Sequence, residues 1–317
     1  HQTATEADGR LEREERFSEA LSGLEEQLAD LPSFTEVDRY LLSNNDIPAE
    51  ALAKLDTGKA PRSSYLSSDA SKIQVFVLFG LDGVDSSDSV MLVALDRVHQ
   101  KIKLISLARD SYVFIPEFAS FSKLAYSYTW GGAAMAVKNL NYNYYLNVSD
   151  YIAVDFDQLA EIIDRIGGVT VNIDEDEARY LSNYPNVHVG DCLLDGETAV
   201  SYARIRKSSA TDSDRKRTGR QREVILSILN TLQTMPLSQY PGFVRDCLGM
   251  CATSFEAETL LTMAAETLGQ NYTVEQYFFP EGQVDWWAGL IKEYFYYVYD
   301  LRRASDRIYR IIYEELY

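Results

Sequence analysis

The run IQVFVLFG at 73–80 is nearly all apolar, short, rich in β-branched and aromatic residues, and ends on glycine, the pattern of a buried strand. SVMLVALD (89–96) and KIKLISLA (101–108) follow, separated only by RVHQ, which predicts an antiparallel hairpin. DYIAVDF (150–156) reads as another strand. DQLAEIIDRI then repeats Leu159, Ile162, Ile163 and Ile166 at helical spacing until Gly167-Gly168 stops it, and VTVNI opens a new strand. Further helices are expected around 196–203, 219–234, 255–268 and 284–315. Interleaved strands and helices, with antiparallel early strands, predict an α/β fold: a mixed-sheet, three-layer αβα domain.

Before residue 73 the pattern changes. Leu11, Phe17, Leu21, Leu24 and Leu28 sit at helical spacing in a stretch whose first 30 residues hold nine acids and three bases, a surface or stalk-like helix. A short helical stretch and TGKAPRSSYLSSDASK, a linker, complete residues 1–72. The expected organisation is thus a helical and linker segment (1–72), a core (73–235), and a mainly helical part packed on that core (236–317).

Charge sharpens the picture. The 317 residues carry a formal net charge of −18, yet SYARIRKSSATDSDRKRTGRQRE (201–223) holds eight Lys/Arg against three acids. The remaining field is strongly negative, which disfavours general nucleic-acid binding and makes the basic stretch a local site. Cys192, Cys247 and Cys251 form neither a CxxC nor a disulfide framework, and the three histidines are scattered. Cys247 and Cys251, four apart, share a helix face as buried thiols.

Three places carry candidate chemistry. FGLDGVDSSDSVML releases a loop bearing Asp82, Asp85 and Asp88 between two strands; hard cations seek such carboxylates, and turns favour the same residues. Arg109-Asp110 stands where a strand stops, where the arginine can hold a phosphate or pair with a carboxylate. In the basic stretch, Arg204 and Arg206, two apart, point to one face of an extended backbone. Arg217, Arg220 and Gln221 open an amphipathic helix with Val224, Ile225, Ile228, Leu229 and Leu232 on its apolar stripe. Cations at a helix N-terminus oppose its macrodipole, which argues for a bound anion or an acidic partner there.

Taken in order, FGLDG…SDSVMLVALD, KIKLISLARDSYV, KLAYSYTWGGAAMAVKNL, DYIAVDFDQLAEIIDRIGGVTVNI, LDGETAVSYARIRK and DSDRKRTGRQREVILSIL resemble the LytR-CpsA-Psr family over roughly residues 73–235. The resemblance implies a membrane-anchored enzyme on the outer face of the bacterial cytoplasmic membrane, its N-terminal anchor outside this sequence. Such an enzyme moves a glycopolymer from a polyprenyl-pyrophosphate carrier to peptidoglycan, forming a phosphodiester and releasing polyprenyl phosphate. Carried over by motif, the metal ligands are Asp82 and Asp88, with Asp85 an alternative, for Mg²⁺ or Mn²⁺. The phosphate-binding residues are Arg109, Lys123, Arg204, Arg206, Arg217, Arg220 and Gln221, with Arg109, Arg217 and Arg220 assigned to catalysis and Asp214 to orienting them. Val84 stands where family members often place an arginine.

The family's lipid tunnel would be lined here by Ile73, Val75, Val77, Phe79, Ile152, Val154, Leu159, Ile162, Ile225 and Leu229, a pattern that any closed α/β core also shows. Phosphoryl transfer fits these residue types, since it needs in-line positioning and neutralised phosphate charge more than covalent help. Asp82 and Asp110 are the carboxylates available as a base. The competing readings are a pyrophosphatase on the same lipid head group and a non-enzymatic surface protein that binds polyprenyl phosphates.

Overall fold

The computed structural model describes residues 49–52, 71–83, 86–206, 210–268, 270–280 and 284–313. The stalk-like helix over 1–30, the linker, Val84 and Asp85 lie outside these residues, as does the side chain of Asp214. A single helical turn, α1 (Ala49–Leu52), buries Ala51 against Tyr112, Phe114, Tyr296 and Val298.

The centre is a six-stranded sheet in the order β10-β3-β2-β1-β6-β9. Here β1 is Ile73–Leu81, β2 Ser87–Asp96, β3 Lys101–Leu107, β6 Asp150–Asp155, β9 Ala252–Thr253 and β10 Thr273–Phe279. The β2–β3 hairpin is antiparallel as RVHQ predicts, β1 is antiparallel to β2, and β6 lies parallel to β1. β10 adds in parallel to β3, so the region after residue 235 completes the sheet as well as covering it.

Period-two alternation sends β1 side chains to two different cores. Ile73, Val77 and Phe79 join Leu92, Ile105 and Leu107 under α2 (Tyr126–Tyr144) and α9 (Leu301–Tyr313). Phe76 and Leu78 face the other way, with Met91, Val93, Leu95 and Leu104, toward α6 (Ala210–Thr234) and α8 (Ala257–Leu268). Three layers result, helix on sheet on helix. The helix expected over 284–315 is instead a hairpin, β11 (Trp286–Ile291) and β12 (Tyr294–Tyr299), followed by α9. Runs such as YFYYVY suit a pleated surface better than a helix.

A smaller unit leans against this core. α3 (Phe156–Arg165) starts in a capping box built by Asp155 and Gln158, and Gly167 and Gly168 end it with φ of 84° and 101°. The hairpin β7 (Val169–Ile173) and β8 (Gly190–Leu194) embraces α4 (Glu175–Tyr180), and α5 (Gly196–Ala203) leads into the basic stretch. β4 (Tyr112–Ile115) pairs with β5 (Ser120–Lys123) beside β12.

Candidate functional site: a cation-lined cleft beside an apolar cavity

The site forms where β1 ends. The β1–β2 register shifts at Gly80, where an added Cβ would meet Ser89 Cβ at 3.1 Å. Asp82 closes the loop that follows: its amide donates to Ser86 O at 3.1 Å and its Oδ1 accepts from Ser86 N at 3.3 Å. Asp88, the second residue of β2, is 5% exposed. Three guanidiniums surround its Oδ1. Arg109 Nη1 donates to it directly, with Arg217 Nη1 at 3.4 Å and Arg206 Nη2 at 3.5 Å. A buried carboxylate persists as an anion only with such compensation.

Arg109 also reaches Asp110, Nε to Oδ2 at 3.7 Å, and Lys123 Nζ donates to the same carboxylate at 2.7 Å. Lys123, Asp110, Arg109, Asp88, and then Arg206 with Arg217 thus form one continuous chain of ion pairs. Backbone bonds fix its shape. Ala125 N donates to Arg109 O at 3.0 Å, and Ser87 Oγ donates to Ala125 O at 3.3 Å. Ser111 Oγ lies 2.9 Å from the Tyr299 hydroxyl, which contacts that of Tyr144, wholly inside the core. Burial pushes the Tyr299 phenol up to about 12 and Tyr144 well above its ordinary range.

Among the described residues, Asp82, Asp88, Arg204 and Arg206 line one open cleft of about 720 Å³ together with Tyr180, Leu181, Asn183, Tyr184 and Ser201. Arg204 is not extended: it caps α5 with φ −95° and ψ −4°, and its guanidinium carbon sits 4.5 Å from the Phe156 ring centroid. Both arginines still reach the cleft. Arg109 and Arg217 approach through Asp88, and Arg217 is almost completely buried.

Two sequence expectations change here. α6 begins at Ala210, so Arg217 and Arg220 stand two turns into the helix, and the macrodipole argument does not apply to them. Arg220 turns away from the Asp88 centre. Its Nη1 donates to Glu177 at 3.0 Å and its Nη2 to Ile205 O at 2.9 Å. Gln221 is buried beside it, and its Oε1 has no hydrogen-bond partner among the described residues.

Farther along α6 lies the second feature. A cavity of about 290 Å³, lined almost wholly by apolar side chains, opens between the sheet, α6, α7 (Tyr240–Met250) and α8. Ile152, Ile225 and Leu229 line it, joined by Phe76, Leu78, Leu104, Phe243 and Met263. Val75, Val77 and Phe79 do not, because they project into the opposite core, and Leu159 packs with the small unit around β7 and β8. Val154 and Ile162 are buried, and neither lines the cavity. Cys247 and Cys251 do, their thiols pushed up by burial to about 12 and about 11.

Fold and site together define a three-layer α/β protein in which one helix carries a cation cluster at one end and an apolar cavity wall farther along. The chain belongs to the LytR_cpsA_psr family, whose model matches residues 45–308, well past the 73–235 stretch that carries the motifs. It is 29% identical over 166 residues to the "polyisoprenyl-teichoic acid--peptidoglycan teichoic acid transferase TagU" of Enterococcus faecalis, covering 50% of this chain and 54% of that one. With the protein of the same name from Oceanobacillus iheyensis it shares 28% over 230 residues, 69% of each chain. The chain thus spans about half the length of the first relative and two thirds of the second. The solved structure of TagT bound to LIIa-WTA has the same fold, with a TM-score of 0.65 at 19% identity over 82% of this chain and 96% of that one.

Proposed function

We propose that this chain transfers a glycopolymer from a polyprenyl-pyrophosphate carrier to peptidoglycan. The observation that carries the reading is the shared helix α6. Arg217, against Asp88, and Ile225, on the cavity wall, are eight residues or roughly 12 Å apart. An amphiphile with an anionic head and an isoprenoid tail matches that spacing of charge and apolar surface. The relatives named for this activity support it.

In this reading Arg204 and Arg206 hold the diphosphate oxygens, while Arg109 and Arg217 add positive charge and fix Asp88. The acceptor hydroxyl oxygen attacks the sugar-linked phosphorus. A new O–P bond forms, the P–O–P bridge breaks, and polyprenyl phosphate leaves, with guanidiniums balancing the charge that builds on the phosphoryl oxygens. Asp110, held by Lys123 and Arg109, serves to orient Arg109. The hydroxyl proton passes to solvent through the open cleft, whose two carboxylates, Asp82 and Asp88, are the ones suited to the ion.

Asp82 and Asp88 line the same cleft, and their hard oxygen donors suit Mg²⁺, or Mn²⁺ in its place. Among the described residues no three His, Cys, Asp or Glu side chains gather to hold a metal. Two carboxylates from the protein, completed by phosphate oxygens, is the usual manner of Mg²⁺ binding. When bound, the ion would neutralise diphosphate charge.

The setting proposed is the outer face of the cytoplasmic membrane. Among the described residues no helix is long and apolar enough to cross a membrane. The test is incubation of a polyprenyl-diphosphate-linked oligosaccharide with peptidoglycan fragments, with and without EDTA. Phosphodiester-linked product is expected only without EDTA. Release of free sugar phosphate in its place would establish the pyrophosphatase, and lipid binding with no turnover would establish the non-enzymatic carrier.

A further inference from the structure

The arginines in and around the cleft are not held alike. Arg109, Arg206 and Arg217 gather on Asp88, and Arg220 holds Glu177 and Ile205 O. Arg204 lines the cleft and is exposed, yet among the described residues its guanidinium makes no ion pair and no hydrogen bond. It rests on a ring instead. Its guanidinium carbon lies over Phe156, 4.5 Å from the centroid, well inside the range of about 6 Å for a cation–π contact. A ring engages the flat face of a guanidinium and leaves the N–H fork in its plane unspent.

Both members of this contact are placed by the backbone. Phe156 is the first residue of α3 and follows Asp155, which pairs in the sheet with Leu81, the residue before Asp82. The Asp155–Gln158 capping box fixes that first turn. α3 and α5 lie close together: Gly196 N donates to Asp164 Oδ1 at 2.7 Å, and Gly196 has no room for a Cβ against Ala160 O. At the other end of α5, the Tyr202 hydroxyl donates to Glu223 Oε2 at 2.5 Å, and Arg220 Nη2 donates to Ile205 O at 2.9 Å. Two α6 side chains, one turn apart, thus grip the chain on either side of Arg204, and Ala203 and Ile205 are buried. The Arg204 backbone is therefore fixed. Its long side chain keeps its freedom, except where the Phe156 ring limits it.

We infer that Phe156 is a positioning residue for the diphosphate: its ring holds the Arg204 guanidinium over the cleft while every N–H donor stays open to phosphate oxygens, and the Tyr202–Glu223 hydrogen bond fixes the backbone beneath. The inference rests on the transferase reading. A carboxylate would also hold Arg204 in place, but a phosphate would have to displace it, as at Asp88. The ring takes none of the in-plane N–H bonds, so it orders a rotamer-rich side chain without competing for the ligand.

The experiment is a double-mutant cycle read by isothermal titration calorimetry, with geranylgeranyl diphosphate and inorganic diphosphate as probes. Phe156→Leu removes the ring and keeps an apolar side chain. It should weaken both probes about fivefold, the worth of one partly exposed cation–π contact, and Phe156→Tyr should bind as wild type does. Arg204→Ala should weaken them further, and in that background Phe156→Leu should change nothing. Pentafluorophenylalanine at position 156 keeps the ring's shape and reverses the charge of its face, so it should reproduce the Leu loss with unchanged thermal unfolding, even if the Leu variant fails to fold. An equal Phe156→Leu loss with and without Arg204 would make the ring mere packing and overturn the inference, as would full affinity in the fluorinated protein. If wild type binds neither probe, the transferase reading fails instead, so the two failures are distinguishable.

Discussion

Glu177 works in two directions at once: its Oε2 accepts from Asp174 N at 3.0 Å, closing the capping box of α4, and its Oε1 accepts from Arg220 at 3.0 Å. Arg220 in turn holds Ile205 O, the carbonyl between Arg204 and Arg206. One buried ion pair therefore ties α4, which ends at the cleft residue Tyr180, to the Arg204–Arg206 segment, through α6.

Glu177→Gln should therefore act on stability first. Both partners are less than a tenth exposed, and deleting one charge of such a pair leaves the other uncompensated. Removal of one partner commonly costs about 3–5 kcal/mol, with Gln at the lower end because it still accepts a hydrogen bond. Urea denaturation measures this loss. Diphosphate affinity should fall only modestly at temperatures where the variant is folded. A collapse of affinity with unchanged stability would return Arg220 to the phosphate.

Asp88→Asn tests the charge arrangement at the centre. The carboxylate competes with any incoming phosphate for Arg109, Arg206 and Arg217. With the carboxylate neutralised, metal-free binding of geranylgeranyl diphosphate should tighten, by about tenfold for the removal of a nearby like charge. The response to added Mg²⁺ and the transfer activity should both be lost. Calorimetry with EDTA and then with Mg²⁺ reads both signs, and weaker metal-free binding would contradict the argument.

Much of this was legible in the sequence. Gly167-Gly168, RVHQ and the 73–80 run specify helix end, hairpin and central strand because each is local chemistry. The Asp88 centre was legible through motif order, since Asp88, Arg109, Arg206 and Arg217 come from four separate segments and no local rule unites them. What escaped depended on tertiary facing. Strand periodicity puts Phe76 and Leu78 opposite Val75, Val77 and Phe79, but it does not say which face holds a cavity and which is filled. Arg220 looked like its neighbour Arg217 because the DEDE capping box that captures it lies 43 residues away. Asn183 and Tyr184, which line the cleft, carried no signal beyond a polar, turn-rich stretch, SNYPN.

The facing difference makes a paired test. Leu78→Trp adds bulk to a cavity wall and should fold with little loss while excluding the lipid tail, so that geranylgeranyl diphosphate binds no better than inorganic diphosphate. Val77→Trp adds the same bulk to a filled core, where overpacking costs about 1–3 kcal/mol or more, and should lower the unfolding midpoint with less effect on tail binding in the folded fraction. The reverse pattern would place the lipid on the α2 face.

Alkaline pH should loosen the scaffold behind Arg109 before it affects the arginines. Tyr144 and Tyr299 are wholly buried, and burial raises both phenols in the folded state, Tyr299 to about 12. An unfolded chain ionises its tyrosines near 10. The unfolded state then binds fewer protons than the folded one above that pH, so the contribution of these groups is complete below about pH 10 and is lost as pH climbs toward 12. The urea midpoint should accordingly fall between pH 10 and 12. In Tyr299→Phe the neutral-pH stability should already be lower, by about 1–3 kcal/mol for the hydroxyl partners left behind on Ser111 and Tyr144, with a shallower alkaline decline of the midpoint. Because Ser111 follows Asp110 directly, the same variant should reduce kcat more than donor affinity, as a misplaced Arg109 would. An alkaline slope identical to wild type would show that this pair is not what titrates.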